Sequence, residues 1–291
     1  MRVHLAALGL AGLVVFTGVT VSAPAAPRAD DSVFGGLGTW VDIYDGPVFA
    51  APLKTAARMA ARHVTTVWIE TSNDRAALDV MRPLQLGRLV EALHAKGIRV
   101  VAWYLPGHVD TTLDVRRSLA MLNFRTPAGQ PFDGVALDIE STRLKNVGLR
   151  SRRAVALARL VRQEAGDTPL AIIPFNPRGL ERRPKTWPRF PWADLAATSD
   201  AFAPMVYTSG LKGFDATYGY VTRAIRLLRV DTGNPDVPIH VIGGVADQMG
   251  PEELAGFAAA VADDGQTIGV SLYDWQTTSP AAWRVLDSVK E

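Results

Sequence analysis

The chain has 291 residues, 31 Lys and Arg against 29 Asp and Glu, 48% hydrophobic residues and no cysteine. So even a charge balance argues against nucleic acid as the main partner, since a duplex-binding protein needs a basic excess on one face. The missing cysteines exclude a disulfide framework, so stability has to come from a buried core, which a chain of this length can supply as one domain.

The first segment places Arg2 ahead of an apolar run from Leu5 to Val21, followed by the small-residue pattern Ala23-Pro24-Ala25. This order matches a secretory signal. Residues 1–25 therefore read as a cleaved signal peptide, 26–36 as a short flexible lead-in and 37–291 as a single catalytic domain. The expected location is extracellular. The competing reading is an uncleaved membrane anchor, because the run is only slightly shorter than the roughly 20 residues of a spanning helix. Cleavage would remove one charged side chain, Arg2, so that 31 Lys and Arg against 29 Asp and Glu becomes 30 against 29. No later segment has the apolar length of a span, so no membrane contact is expected after cleavage.

Beyond the lead-in, short β-branched or aromatic runs alternate with segments of helical periodicity. Strands are expected at Thr39–Tyr44, Val64–Glu70, Ile98–Leu105, Phe132–Glu140, Leu170–Asn176, Ala201–Tyr207, Ile239–Gly243 and Ile268–Trp275. Helices are expected at Leu53–His63, Leu84–Lys96, Ser151–Glu164, Tyr218–Arg229, Pro251–Ala262 and Pro280–Val289. Ala95-Lys96-Gly97 closes one helix with a cation and a glycine, and Pro251-Glu252-Glu253 opens another with proline and acids. Strand followed by helix, eight times over, is the requirement of a closed parallel barrel: an α/β protein made of a single (β/α)8 TIM barrel. The first strand runs into Asp45-Gly46-Pro47 with no G-x-G-x-x-G turn, which weakens a dinucleotide-binding reading.

The fourth strand carries the chemistry. Side chains alternate along a strand, so Phe132-Asp133-Gly134-Val135-Ala136-Leu137-Asp138-Ile139-Glu140 divides into two faces. Val135, Leu137 and Ile139 belong under the helices, while Gly134, Ala136, Asp138 and Glu140 face the barrel interior. Barrel enzymes keep their chemistry at the C-terminal ends of the strands, where Asp138 and Glu140 fall. Two acids at i and i+2 couple through their charges, which raises one pKa and creates a proton donor suited to glycosidic cleavage. The bland alternative is a structural pair neutralised by Lys or Arg from nearby loops. On the first strand Asp42 and Tyr44 share a face, and on the second Glu70 ends a face with Thr66 and Trp68. Tyr104 and Asn176 end the third and fifth strands and are candidate partners for sugar hydroxyls, or else loop caps.

With these residues in place, the fourth strand resembles the D-G-x-D-x-D-x-E signature of the family 18 glycoside hydrolases, the chitinases. Pro204-Met205-Val206-Tyr207 resembles that family's strand-six M-x-Y segment, and Trp275 falls where a strand-eight tryptophan floors the sugar site. Trp103-Tyr104-Leu105-Pro106-Gly107 and Ser271-Leu272-Tyr273-Asp274-Trp275 look more like secreted bacterial relatives than like true chitinases. The resemblance implies Glu140 as general acid and base, Asp138 as the residue orienting a substrate acetamide that acts as internal nucleophile, and Tyr207 as a hydrogen-bond partner of that acetamide. Met205 and Trp275 would join Asp42, Tyr44, Glu70, Tyr104 and Asn176 in substrate binding. Two positions depart from the pattern: Ala136 replaces the first acid of the D-x-D-x-E core, and Thr208 replaces the Asp that commonly follows the strand-six Tyr. The Asp-x-Glu pair is also similar to the strand-four acids of family 25 lysozymes, which makes Asp42 a third candidate acid.

The stretch from Asn176 to Trp192 is the longest irregular one. Its basic residues could meet an anionic glycan, while Trp187, Phe190 and Trp192 either stack on sugars or pack the loop on the barrel. His63, His94, His108 and His240 show no metal-ligand spacing and there is no G-x-S-x-G elbow, so neither cofactor nor metal is expected. The expected partner is a polysaccharide or oligosaccharide substrate bound by a monomer. The competing reading is a carbohydrate-binding protein on a decayed hydrolase scaffold.

Overall fold

The computed structural model describes residues 33–290. The segment read as a signal peptide, and the lead-in up to residue 32, lie outside these described residues. The strands are β1 (Gly36–Val41), β2 (Thr66–Asn73), β3 (Arg99–Leu105), β4 (Gly134–Ile139), β5 (Leu170–Pro174), β6 (Ala201–Phe202), β7 (His240–Gly244) and β8 (Gly269–Tyr273). The α-helices are α1 (Gly46–Ala50), α2 (Pro52–Ala60), α3 (Pro83–His94), α4 (Thr111–Leu122), α5 (Val147–Ala165), α6 (Pro177–Arg182), α7 (Trp192–Ala196), α8 (Phe214–Thr232), α9 (Pro251–Asp264) and α10 (Pro280–Asp287). The strands run parallel in the order β6-β5-β4-β3-β2-β1-β8-β7, and bridges from Phe202 to Ile239 and from Met205 to Ile242 join β6 to β7 and complete the ring. The fold is the expected (β/α)8 barrel.

Helix α4 has no counterpart among the expected helices, for a physical reason. Its buried face is Asp114, Arg117, Ser118 and Met121, three polar residues and one apolar, so no hydrophobic period marks it. Asp114 is held there by the Tyr104 hydroxyl at 2.8 Å and the His108 amide at 2.9 Å. Helix α6 falls inside the stretch expected to be irregular, and Asn176 caps it by accepting from the Arg178 amide.

Strand alternation sorts the core into two layers. Leu37, Val41, Val67, Ile69, Val100, Val135, Leu137 and Ile139 point outward beneath the helices. Trp40, Trp68, Val101, Trp103, Ala136, Ala171, Ile173, Ala201 and Ala203 fill the barrel. The register explains the mixture of sizes inside. Trp40 pairs with Trp68, whereas Trp103 begins a row that continues through Ala136, Ala171 and Ala201. Large rings on β1 to β3 occupy the space that small side chains on β4 to β6 leave, which is how a barrel interior reaches close packing. At the N-terminal end Phe34 enters the barrel and stacks on Trp68, with ring centroids 5.6 Å apart. His240 is fully buried there, between the Phe34 carbonyl at 2.7 Å and the Ser271 hydroxyl at 2.9 Å, and burial pushes its pKa down to about 4.

Candidate active site

The two acids of β4 lie at the C-terminal mouth of the barrel. Asp138 points inward above Ala136 and is 5% exposed, while Glu140, one residue past the end of the strand, is half-buried and lines an open cleft of about 400 Å³. Desolvation raises the pKa of both, and Asp138 is pushed up further by the negative charges of Glu140 and Glu70. Among the described residues neither acid forms an ion pair with Lys or Arg, so the alternative of a structural pair neutralised by neighbouring loops does not describe this site.

Other strand ends add to the mouth. Glu70 of β2 is buried and accepts from the Ile43 amide at 3.1 Å and from Asn73 Nδ2 at 2.9 Å, and burial raises its pKa. Asp42 lies past the end of β1 rather than on a strand face, because its own carboxylate turns the chain by accepting from the Tyr44 amide at 2.7 Å. That turn leaves Tyr44 73% exposed on the cleft rim, with its hydroxyl 3.4 Å from Asn73 Nδ2. The Tyr273 hydroxyl donates to Asp42 Oδ2 at 3.1 Å, and its ring centroid lies 6.0 Å from that of Tyr207. The Tyr207 hydroxyl is held in its neutral form by burial and by the charges of Asp138, Glu140 and Asp274. Met205 lies below in the barrel filling. Asp138, Glu140, Glu70, Asp42 and Tyr207 thus occupy one mouth, with Tyr44 on its rim.

Asp45 and Asp274 complete the acidic ring and have no place among the sequence-based candidates. Carboxylate oxygens of Asp42, Asp45 and Asp274 lie within 4.8 Å of one another, a spacing that a cation could bridge. Asp45 accepts from the Asp42 amide at 3.1 Å and from Gln276, and burial together with Asp42 raises its pKa to about 7. Asp274 holds a turn by accepting from the Thr277 amide and hydroxyl, each at 2.9 Å. The cleft beside Glu140 is further lined by Asn73, Arg75, Leu105 and Arg143, and Arg143 forms an ion pair with Asp74.

No family model and no curated protein matches the chain in sequence. Its fold, by contrast, is shared with solved glycoside hydrolases. An endo-β-1,4-mannanase from Thermotoga petrophila superposes with a TM-score of 0.66 at 10% identity, over 91% of this chain and 78% of the mannanase. A class V chitinase from Pseudomonas fluorescens gives 0.62 at 12% identity, over 88% of this chain and all of the other. The spore cortex-lytic enzyme SleL of Bacillus cereus gives 0.65 at 9% identity, over 88% and 74%. At such identities the likeness is one of barrel architecture. These neighbours lend no support to the resemblance to family 25 lysozymes.

Three expected substrate contacts lie elsewhere. Tyr104 points outward beneath α4, because Val101 and Trp103 take the inward positions of β3 and alternation turns Tyr104 toward Asp114. Asn176 is committed to capping α6 and to the Tyr220 hydroxyl at 2.9 Å. Trp275 has the inward parity of Ser271 and Tyr273, but β8 stops at Tyr273 and the Asp274 turn ends the alternation. The Trp275 ring therefore packs outside the barrel, 5.5 Å from Trp283 with the Arg58 guanidinium over it at 5.4 Å. Trp187, Phe190 and Trp192 are buried against one another, with Arg150 4.0 Å from the Trp187 ring, so these aromatics pack the loop. Parity would have pointed to Tyr273, whereas Asp45, Asp274 and Asn73 carried no periodic signal because all three lie in turns or at a bulge.

Proposed function

We propose that this protein is a glycoside hydrolase of chitinase-like character, exported from the cell, that acts on a polysaccharide containing amino sugars. Glu140 serves as general acid and base, and Asp138 is its carboxylate partner. The observation that carries this reading is the pair itself: an accessible Glu140 in the cleft beside a buried Asp138, both with raised pKa values, at the end of the barrel where such folds keep their chemistry. The fold shared with mannanase and chitinase structures supports it.

In this reading the protonated Glu140 carboxyl gives its proton to the glycosidic oxygen as the bond from that oxygen to the anomeric carbon breaks. The leaving sugar departs as an alcohol. Positive charge developing on the sugar ring is stabilised by the carboxylates beneath it, Asp138 foremost. Water then adds to the anomeric carbon and passes a proton to the Glu140 carboxylate, which restores the acid. Tyr207, neutral and facing the pair, is placed to hydrogen-bond the substituent next to the reacting carbon.

Activity should fall as pH rises through the raised pKa of Glu140, because the ionised acid has no proton to give. Replacing Glu140 by Gln removes that proton at every pH and should abolish turnover on any glycan the protein cleaves. Retained turnover would refute the assignment. The reading as a carbohydrate-binding protein draws on Ala136, buried beside Trp103 where the family resemblance expects an acid. Binding of oligosaccharides without cleavage by the wild-type chain would favour it.

A further inference from the structure

The mouth of the barrel concentrates negative charge without a matching cation. Asp42, Asp45, Glu70, Asp138, Glu140 and Asp274 face it, and among the described residues none of them pairs with Lys or Arg. The donors that do reach these acids are neutral: the Tyr273 hydroxyl, the Asn73 and Gln276 amides, Thr277 and backbone N–H groups. Arginines around the cleft are otherwise engaged or peripheral, Arg143 being held by Asp74, Arg82 reaching the Ile43 carbonyl and Arg75 standing exposed on the rim. One acceptor is left over. Asp138 Oδ1 is buried with no hydrogen-bond partner, in a residue 5% exposed. A buried carboxylate oxygen amid like charges is costly unless a charged donor meets it.

We infer that the glycan this site accepts carries free ammonium groups on its amino sugars, in place of N-acetyl groups, and that an ammonium donates to Asp138 Oδ1 within the ring of acids. The inference rests on the glycosidase reading of the same site and specifies its substrate class. An ammonium brings three donors and a positive charge, whereas an acetamide is neutral, brings a single N–H donor and presents a carbonyl oxygen that the acids would repel. Chains bearing uronate or sulfate would be excluded by the same field. A free amine also offers no carbonyl to act as internal nucleophile, which agrees with the departures at Ala136 and Thr208 from the substrate-assisted pattern.

The test uses the full chain with Glu140→Gln, which should bind substrate without consuming it, in calorimetric titrations stepped from mildly acidic to neutral pH, so that both the sugar ammonium and the Asp138 carboxylate are sampled in their charged forms. The probes are oligomers of β-linked glucosamine, N-acetylglucosamine and glucose. The glucosamine oligomer should bind about tenfold more tightly than the other two, the scale of one charge-assisted hydrogen bond. Asp138→Asn should bring the three oligomers close to parity while the variant still melts cooperatively, and Asp42→Asn should narrow the gap in the same direction. Equal or tighter binding of the N-acetylated or glucose oligomer overturns the inference. So does a melting temperature raised by calcium in the wild type but not in Asp274→Asn, which would make the acids a metal site. If the wild type hydrolyses the N-acetylated or glucose oligomer in preference, the glycosidase reading stands and the inference alone falls. If none of the three is bound or cleaved, the reading as a glycosidase of amino-sugar polysaccharides falls and takes the inference with it.

Discussion

The two ends of the barrel interior are built from similar material and follow opposite rules. At the N-terminal end the polar groups of His240, Ser271 and Trp40 answer one another: the ring nitrogens meet Phe34 and Ser271, and Ser271 also accepts from Trp40 Nε1 at 2.8 Å, which leaves Trp68 Nε1, against the His240 ring, as a neutral donor without a partner there. Trp40 and Trp68 stack above with centroids 4.8 Å apart. At the C-terminal end acids face one another, and Asp138 Oδ1 goes without a partner. Closed packing with satisfied hydrogen bonds lowers the free energy of the fold, while an uncompensated polar cluster raises it and persists where a ligand meets it. The comparison separates a stabilising end from a working end within a few residues along the same strands.

Truncation of the packed end should have the largest effect. Trp68→Ala removes a fully buried indole that stacks on Phe34 and Trp40, and should cost about 3–5 kcal/mol in denaturant unfolding. A loss below about 1 kcal/mol would mean that the interior recloses and is not close-packed. Gly38→Ala probes the same end by overfilling. Its Cβ would stand 2.7 Å from His240 Cε1, in a ring that both hydrogen bonds hold in place, and a loss of about 1–3 kcal/mol is expected.

At the working end the sign should reverse. A carboxyl whose folded pKa is raised costs nothing at pH values below its ordinary range, near about 4, and costs progressively more as pH climbs toward the raised value. Asp138→Asn removes the buried charge while keeping the shape of the side chain, and should therefore raise stability near neutral pH. The gain should vanish when melting is repeated near about pH 4, and hydrolysis should drop by about a hundredfold or more. A variant that is less stable than wild type at neutral pH would erase the contrast between the two ends. The smallest change is expected on the rim, where Tyr44→Ala should leave stability within about 0.5 kcal/mol yet weaken glycan binding by about 1 kcal/mol, the scale of one aromatic contact. Calorimetry on the same oligomers measures it.

Much of this was legible in the chain because barrel strands and their helices are local features with strong periods. Alternation in Val135 to Glu140 is enough to put Leu137 and Ile139 under the helices and Asp138 with Glu140 inside, and the same rule reads Trp68 and Glu70 correctly on β2. The eight strands emerge as short β-branched or aromatic runs between helical segments, although β6 closes at Ala201–Phe202, short of the expected end at Tyr207. What failed did so where the period stops or is not apolar. Helix α4 buries Asp114 and Arg117, so it has no hydrophobic stripe to detect. Trp275 follows the parity of β8 but sits after its end, and Tyr104 was assigned to the mouth by its place at a strand end when its parity points outward.

The amino-acid order alone determined the class of fold, the layering of each strand and the position of two acids at the C-terminal mouth, since these depend on neighbours a few residues apart. Only the tertiary structure brought Asp42 and Asp45 to Asp274, more than two hundred residues later, and set Glu70 beside Asp138. Closure of the ring juxtaposes the ends of β1 and β8, and no local pattern encodes that meeting. The field at the mouth is a sum over distant charges, so it comes into being when the barrel closes.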